Sequence, residues 1–384
     1  MTLGIQSSQT SSRTARAERF LTEWLAKADI RFNGDRPWDI QVHNPDFYPR
    51  IMAQGSLGSG ESYMDGWWDC EQMDEMFSRL LGARLDHELP TNWILVMDVI
   101  KSKLINRQNK RWSKTVAQQH YDLGNDFYKD MLDPFMQYTC AYWKDAQNLN
   151  QAQEQKLDLI CRKLGMKRGM KVLELGCGWG GFAHFAAERY GCEVTALNIS
   201  EEQVAYAREY NRNLPVDIQL KDYRDATGLY DRVVSIGMCE HIGYKNYGTF
   251  FEVIHRSLKD DGMALVHTIG GNASVVGMEP WLDKYIFPHA VLPSIRQLSH
   301  QMEHRFVVED WHNFGPDYDK TLMAWYENFV RNWPRHKEKY GERFYRMWSY
   351  YLLNCAGSFR GRKNQLWQIV LSKYGVPGGY VSVR

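Results

Sequence analysis

The sequence lacks the cysteine spacing of a metal site or a disulfide framework. Its seven cysteines are scattered and form no CxxC pair, whereas structural zinc sites and disulfide-rich secreted domains use paired or regularly spaced cysteines. We therefore expect reduced thiols in a cytoplasmic protein. The segment 300–304 fits the H-x-x-E-H pattern of some zinc enzymes, but no acidic third ligand follows on a helix, so no metal is expected.

Long apolar runs and an excess of one charge are also missing. No window reaches the length of a membrane-spanning helix. Residues 6–16 are rich in Ser, Thr and Arg without the apolar core of a signal peptide, and are expected to form a disordered tail. The net charge of +1 argues against a nucleic-acid binder that acts through bulk charge.

The length of 384 residues accommodates one large and one small domain. We expect an N-terminal lipid- or membrane-associated domain at 1–100 that opens with a helix at 17–27, a basic linker at 101–117, and a catalytic domain at 118–384. The stretch 101–114 carries six basic residues and no acid. It is either a solvated linker or a basic and apolar patch that contacts anionic lipid headgroups.

From residue 118 onward, strand and helix patterns alternate. Strands are predicted at 171–175, 193–197, 217–221, 232–237 and 263–268, with helices between them and an amphipathic helix at 151–164 before them. This alternation is typical of an α/β protein with a parallel sheet covered on both faces. Two later strands, 306–311 and 366–371, flank a long helical stretch, which predicts a sheet that ends differently from a plain dinucleotide fold.

The segment 172–181 joins an apolar strand to a glycine-dense turn and a helix. Glycines let the backbone approach a flat nucleoside, and the helix start adds unpaired N–H groups. Gly176, Gly178 and Gly181 satisfy G-x-G-x-x-G, which by itself also fits a nicotinamide cofactor. A nicotinamide site expects a carboxylate at the end of the next strand, where this chain has Asn198.

Glu174 lies two residues before the first glycine. Together with residues 176–180 it resembles the first motif of the S-adenosylmethionine (SAM)-dependent methyltransferases, in which the acid supports the methionine end and the glycines admit the nucleoside. Asp222, after the third strand, is placed to meet the adenine amino group. Two simpler interpretations stay open: Glu174 caps a helix, and Asp222 begins a turn. The pattern favours a methyltransferase over an oxidoreductase.

Longer motifs narrow the class. Residues 120–126, 138–143, 240–243, 267–269 and 309–315 match the pattern of the cyclopropane-fatty-acyl-phospholipid synthases, and the likeness includes the early run 55–68. The chain resembles the bacterial members with an added N-terminal domain. The resemblance implies a Rossmann-like class I methyltransferase sheet with a helical cap and a small N-terminal domain. The stretch 280–334 is rich in Trp, Tyr, Phe and Met, which fits a helical cap over the sheet and also an acyl-chain tunnel formed by that cap.

The resemblance also implies the reaction. The methylene equivalent of SAM passes to the cis double bond of unsaturated acyl chains in membrane phospholipids, giving cyclopropane fatty acids and S-adenosylhomocysteine, with bound bicarbonate as base. The protein must align two reactants, exclude water and hold a base. The family further implies a homodimer, cytoplasmic and peripherally associated with the inner face of the cytoplasmic membrane.

The family's anion holders match Cys140, Glu240, His267, Ile269 and Tyr318. The backbone N–H groups of Cys140 and Ile269 would donate to the anion, His267 (neutral or cationic) and Tyr318 would hydrogen-bond it, and Glu240 would accept or share its proton. Cys140 could instead be a small core residue. Cys355 is sometimes given a catalytic role, but we expect it to serve packing because the alkene attacks directly.

The cofactor contacts carried over by the resemblance share positions around the strand ends. They are Tyr138, Thr139, Glu174, Leu175, Gly176, Cys177, Gly178, Trp179, Gly180, Asn198, Gln203, Asp222 and Tyr223. Trp179 could also screen the sulfonium end of the cofactor. Two other functions are kept as alternatives: an N-methyltransferase of small amines, which shares these motifs, and a non-catalytic lipid-binding protein with a degenerate cofactor site.

Overall fold

The structure, a computed structural model, describes residues 2–85 and 124–384, with side chains from residue 14 onward. The predicted linker at 101–117, with its basic stretch, lies outside the described residues, as do the predicted domain boundaries at 100 and 118.

The N-terminal part is mainly helical. It contains α1 (Thr2–Ala26), α2 (Phe47–Gln54), α3 (Ser56–Met64) and α4 (Met73–Gly82). A short antiparallel pair, β1 (Gln41–Val42) with β2 (Trp68–Asp69), connects them. The helix predicted at 17–27 is present, but it begins at Thr2, so the expected disordered tail is wrong. No Gly or Pro interrupts the chain between residues 5 and 26, so nothing local stops the helix.

The remaining strands form one seven-stranded sheet. They are β3 (Lys171–Leu175), β4 (Glu193–Asn198), β5 (Val216–Leu220), β6 (Tyr230–Ile236), β7 (Leu258–Gly271), β8 (Val307–Asn313) and β9 (Asn364–Ser372). Their order is β5-β4-β3-β6-β7-β9-β8. Strands β3 to β7 are parallel, and β9 runs antiparallel between β7 and β8. The α/β prediction and the different ending of the sheet are both confirmed.

Helices follow most of these strands. They are α5 (Asn125–Met131), α6 (Leu149–Lys163), α7 (Gly181–Tyr190), α8 (Glu201–Tyr210), α9 (Cys239–Ile242), α10 (Tyr247–Ser257), α11 (Pro280–Tyr285), α12 (Ile295–Met302), α13 (Pro316–Asn332) and α14 (Lys337–Arg360), the last interrupted at Gly341.

The side chains of successive residues in β3 pack on opposite faces of the sheet. Val172 packs with α6, α7 and α8 in one apolar cluster, whereas Leu173 packs with α10 and α12 in another. Because side chains alternate along a strand, the central strands must be apolar on both sides. The covered parallel sheet predicted from the sequence is thereby confirmed.

The cap over the sheet edge is built from α5, α11, α13 and α14. Only part of the predicted cap segment 280–334 belongs to it, because α12 packs against α10 on the sheet face and β8 joins the sheet. The cap and the N-terminal helices share one continuous apolar core. Within residues 2–85 and 124–384, no helix is both long and apolar enough to cross a bilayer.

Candidate active site

A cavity of about 390 Å³ lies where the parallel strands end, beneath the cap. This edge is where open α/β sheets bind ligands. Of the predicted cofactor and anion residues, all but Leu175 and Gly180 line the cavity, and so does Cys355. The topology therefore brings together residues spread from Tyr138 to Cys355.

The glycine loop is fixed by backbone contacts. The N–H groups of Gly176 and Cys177 both donate to the Leu197 carbonyl at the end of β4, at 3.0 and 2.9 Å. Gly176 has a φ of +79°, in the left-handed region that favours glycine. A Cβ on Gly181 would lie 1.9 Å from the Phe135 carbonyl oxygen. The last glycine of the motif thus allows the chain before α6 to pass over the start of α7.

Glu174 is buried beneath this loop. Burial raises the pKa of its carboxyl group to about 8, although the Lys156 ammonium and a hydrogen bond from the Ala183 N–H act in the opposite direction. That N–H lies in the first turn of α7, so the capping interpretation of Glu174 is also correct. Its Oε2 atom has no hydrogen-bond partner among the described residues and is available to a ligand group that donates hydrogen bonds, as the SAM amino group does.

Lys156 is a site residue that was not predicted from the sequence. This fully buried side chain places Nζ 2.5 Å from Gln137 Oε1 and 3.0 Å from Thr139 Oγ1. From the same helix, Gln153 donates to the Thr139 carbonyl at 2.9 Å. Helix α6 therefore holds the strip that carries Tyr138 and Thr139. The available signal was the spacing of Gln153, Lys156 and Lys163, which puts polar groups beside an apolar helical stripe.

Asn198, the predicted ribose contact, is hydrogen-bonded within the protein. Asn198 donates from Nδ2 to the Gly178 carbonyl at 3.0 Å and to Gln203 Oε1 at 2.9 Å. Its Oδ1 accepts from the Ile199 N–H at 2.7 Å. The buried Gln203 Nε2 has no partner among the described residues. Asn198 therefore ties the glycine loop to β4, and the Gln203 amide is the group offered to a ligand.

Asp222 is held by Arg224. The two carboxylate oxygens accept from Nε at 2.8 Å and from Nη2 at 2.7 Å, and Oδ1 also accepts the Arg224 N–H at 2.9 Å. The last bond caps a short 3₁₀ turn at Tyr223–Asp225, so Asp222 does begin a turn. It also lines the cavity beside Tyr223, so the two interpretations are compatible.

The predicted anion holders cluster at the ends of β6 and β7. Glu240 Oε1 accepts from the Ile269 N–H at 2.6 Å, while Oε2 is buried without a partner among the described residues. Burial raises the Glu240 pKa to about 7, against the effect of the Ile269 N–H. The Ile269 N–H, expected to donate to an anion, thus contacts Glu240 here.

His267 and Tyr318 complete this cluster. Burial holds the pKa of His267 well below its usual value, and the Lys156 and Lys163 ammonium groups act in the same direction. Its Nε2 atom has no partner among the described residues. Burial raises the pKa of Tyr318 well above its usual value, and the neighbouring Cys140 and Glu240 add to this rise. At neutral pH the site therefore presents a neutral imidazole and a neutral phenol.

Two of the cysteines that line the cavity, Cys140 and Cys355, are not activated nucleophiles. Cys140 is fully buried, with Sγ 3.2 Å from the Ala141 carbonyl oxygen, and burial raises its pKa well above the usual value. Burial raises the Cys355 pKa to about 12. Both thiols are protonated at neutral pH, whereas catalytic cysteines have depressed pKa values.

The parallel sheet with its antiparallel β9, the acid followed by a glycine loop, and the buried carboxyl groups around one cavity define a class I SAM-dependent methyltransferase. Within that class, the chain belongs to the cyclopropane synthase family: the family described as "Mycolic acid cyclopropane synthetase" matches residues 108–369. The methyltransferase interpretation is thus confirmed over the nicotinamide one, with SAM as the cofactor.

Named relatives agree with this assignment. The chain is 52% identical over 361 residues to the cyclopropane-fatty-acyl-phospholipid synthase of Escherichia coli strain K12, covering 94% of each chain. It is 35% identical to a probable fatty acid methyltransferase of Pseudomonas putida, covering 69% of this chain and 71% of that protein.

Solved structures share the fold. The cyclopropane synthase MmaA2 of Mycobacterium tuberculosis is 30% identical with a TM-score of 0.64, covering 68% of this chain and 98% of that one. The mycolic acid cyclopropane synthase CmaA1 complexed with SAH and CTAB is 32% identical with a TM-score of 0.63, over the same shares of the two chains. Coclaurine N-methyltransferase, at 21% identity and a TM-score of 0.67, shows a common fold only.

Proposed function

We propose that this enzyme transfers the methylene equivalent of SAM to the cis double bond of unsaturated acyl chains in membrane phospholipids, forming cyclopropane fatty acids and S-adenosylhomocysteine. We propose further that bound bicarbonate is the base. The observation that carries this proposal is the single cavity that joins the glycine loop to the buried cluster of Glu240, His267 and Tyr318.

The polar groups of that cluster fit a small oxyanion that can carry a proton. Glu240 Oε2 and His267 Nε2 are both buried and without a partner among the described residues, and buried polar atoms are normally hydrogen-bonded. With a pKa near 7, Glu240 is able to hold a proton and donate it to the anion instead of repelling it. Cys140, Ile269 and Tyr318 would form the remaining walls of the anion site.

When bound, SAM supplies an electrophilic methyl group and bicarbonate accepts a proton. The alkene electron pair forms the new carbon–carbon bond as the sulfur–methyl bond breaks, and loss of one methyl proton then closes the ring. Glu174 and Gln203 would orient the cofactor, while the buried cluster would keep water away and place the base beside the methyl carbon. Aromatic faces such as Tyr138 and Trp348, which line the cavity, are suited to a transient positive charge.

The cavity also has an apolar wall that suits an acyl chain. Its members come from α11, the segments on either side of it and α14, and include Met278, Leu282, Ile286, Phe287, Leu292 and Phe359. This wall favours a lipid over the small amine of an N-methyltransferase.

The direct test uses vesicles of unsaturated phospholipid with isotopically labelled SAM, followed by mass spectrometry of the released fatty acids. We expect a labelled product heavier by one CH₂ that resists hydrogenation as an alkene. Glu240→Gln should abolish most of it, by about 100-fold or more if proton transfer is lost, while Glu252→Gln, at an exposed position, should retain activity. If the enzyme binds SAM but transfers no label to the lipid, the proposal is refuted.

The role of bicarbonate has a separate test. In buffer freed of CO₂, activity should fall and return on addition of bicarbonate. Full activity without it, at an unchanged yield of cyclopropane product, would leave the lipid reaction standing and remove the proposed base.

The membrane contact is assigned to the basic stretch 101–114. Replacing Lys110, Arg111 and Lys114 with Gln should weaken binding to anionic vesicles, because each basic residue near such a surface contributes about 1 kcal/mol. Binding to neutral vesicles is the control, and unchanged binding to anionic vesicles would reject this contact. We also propose a homodimer at the inner face of the cytoplasmic membrane, as the family resemblance implies, and sedimentation equilibrium of the full chain tests the dimer.

A further inference from the structure

Three opposed side chains form a row across β7, β9 and β8, the last three strands in the order of the sheet. In the register of the antiparallel pairs, Gln368 of β9 lies opposite His267 of β7 and opposite His312 of β8. Directly opposed residues point to the same face of a sheet, so the Gln368 amide lies between the two imidazole rings. Gln368 is fully buried, yet it does not line the cavity, and it has no part in the proposed reaction steps.

The contact between Gln368 and His267 is specific to one ring nitrogen. Gln368 Nε2 lies 3.3 Å from His267 Nδ1. In this orientation of the amide, Oε1 is buried without a partner among the described residues and the nitrogen facing His267 can only donate, so Nδ1 accepts. In a neutral imidazole one nitrogen carries hydrogen and the other accepts, and the partner of one nitrogen sets the state of the other.

We propose that Gln368 is a positioning residue that fixes His267 as the tautomer protonated on Nε2. His267 then offers an N–H donor to the anion site and cannot accept the proton released during ring closure. This assignment rests on the proposed function, in which an oxyanion binds beside His267, and it decides between the neutral and cationic forms of that residue.

The surroundings of the row support a neutral ring. Burial and the Lys156 and Lys163 ammonium groups keep the His267 pKa well below its usual value. The Phe314 ring packs edge-on at 5.9 Å from the His267 ring, which limits its rotation. The carboxyl group of Glu240 is the titratable group on the cavity side with a pKa near 7, so proton exchange at the site is left to Glu240 and the anion.

His312, on the far side of Gln368, also has a hydrogen-bond donor facing its Nδ1 atom. Its Nδ1 lies 3.1 Å from the ammonium nitrogen of Lys163, which can only donate. Burial and Lys163 lower the His312 pKa to about 4. Both histidines of the row thus meet a donor at Nδ1, and neither is placed to hold a second proton.

The test reads the tautomer directly in the full-length enzyme. Nitrogen-15 spectra of histidine-labelled protein at pH 7, with His267 assigned by its loss in His267→Asn, should show an unprotonated Nδ1 and a protonated Nε2. Gln368→Glu places an acceptor at Nδ1 and should move a proton onto that nitrogen. Its kcat should fall about tenfold, as for one lost hydrogen bond, with the KM for SAM unchanged.

Gln365→Glu is the matched control. Gln365 lies on the same strand, its Oε1 accepts from Arg362 Nη2 at 2.6 Å, and it does not line the cavity, so the His267 spectrum should not change. A protonated Nδ1 of His267 in the unaltered enzyme would overturn the proposal, and this outcome does not depend on the folding of Gln368→Glu. Failure of the bicarbonate dependence with the expected tautomer would count against the proposed base and leave the role of Gln368 intact.

Discussion

At the scale of single residues, the site depends on acids held where water does not reach them. Glu174 lies near the end of β3, and Glu240 lies in the short helix after the neighbouring strand β6. Each leaves one carboxyl oxygen without a partner among the described residues. Burial raises the pKa of both. A buried carboxyl oxygen without a hydrogen bond lowers the stability of the folded protein. It favours ligand binding, because a bound ligand can supply the missing hydrogen bond.

Glu174→Gln should therefore weaken SAM binding and change how stability depends on pH. Between the usual carboxyl pKa of 4.5 and the folded value of about 8, the folded state binds more protons than the unfolded state, so its free energy of unfolding falls as pH rises. Gln does not titrate, so the Glu174→Gln variant does not show this pH-dependent fall in stability. Its stability relative to the unaltered protein should increase from pH 5 to pH 8, measured by urea unfolding without SAM.

Calorimetric titration with SAM gives the second readout for Glu174→Gln. Loss of a charge-assisted hydrogen bond predicts an affinity about tenfold lower or more. A stability difference that stays constant across this pH range would contradict the buried, proton-binding state of Glu174.

Cys355→Ala tests the packing role of this cavity cysteine. Because the thiol pKa is about 12, no thiolate is present at neutral pH, and we expect kcat to remain close to that of the unaltered enzyme with a modest loss of thermal stability. Steady-state rates on phospholipid vesicles and thermal unfolding measure the two effects. A loss of kcat with SAM affinity intact would restore a catalytic role for Cys355.

At the scale of elements, close approach between the glycine loop and the strip before α6 shapes the cofactor site. Gly181 opens α7 under the Phe135 carbonyl, where a Cβ would meet the oxygen at 1.9 Å, whereas a Cβ on Gly178 would meet nothing within 4 Å. Both glycines belong to the same motif, but only one of them is required by packing within the chain.

Gly181→Ala and Gly178→Ala should therefore differ in the cofactor-free protein. For Gly178→Ala, the φ of +53° predicts a loss of about 1 kcal/mol from backbone strain. For Gly181→Ala the backbone must move, and we expect a loss of about 3 kcal/mol, at the upper end for overpacked sites. Urea unfolding of both variants measures the difference, and equal losses would contradict the contact with Phe135.

At the scale of the whole molecule, the N-terminal helices and the cap form one packed unit. A Cβ on Gly357 of α14 would lie 2.6 Å from the Asp74 carbonyl oxygen of α4, which shows how closely the two helices pack. Arg346 of α14 donates to the Trp68 carbonyl at 2.8 Å and to Asp69 Oδ1 at 2.7 Å. Since α14 also lines the cavity, the N-terminal part supports one wall of the site.

Arg346→Met should lower the free energy of unfolding by about 2 kcal/mol, because charged hydrogen bonds to partly buried groups are lost. Arg343→Met is the control, since Arg343 is largely exposed and its ion pair with Asp65 at 3.2 Å is worth little. In thermal unfolding, Arg343→Met should destabilise the protein less than Arg346→Met does. Equal effects would indicate that Arg346 does not connect the two parts.

Local patterns in the sequence determined most of the fold and the position of the cofactor site. Strand and helix periodicity, the Glu174 glycine loop and the family motifs reflect short-range constraints: alternating side chains, φ angles open to glycine, and residue types at fixed spacing. For this reason the strands and the methyltransferase class were predicted, and most of the predicted site residues line the cavity.

Only the tertiary structure decided which polar groups meet. The contact of the Ile269 N–H with Glu240, the buried Lys156 beneath Thr139, the union of the N-terminal helices with the cap, and Gln368 beside His267 join residues far apart in the chain. Such contacts depend on strand order and on burial, which sets both hydrogen-bond partners and pKa values. A local pattern carries neither, and that is why the sequence alone left the protonation of His267 open.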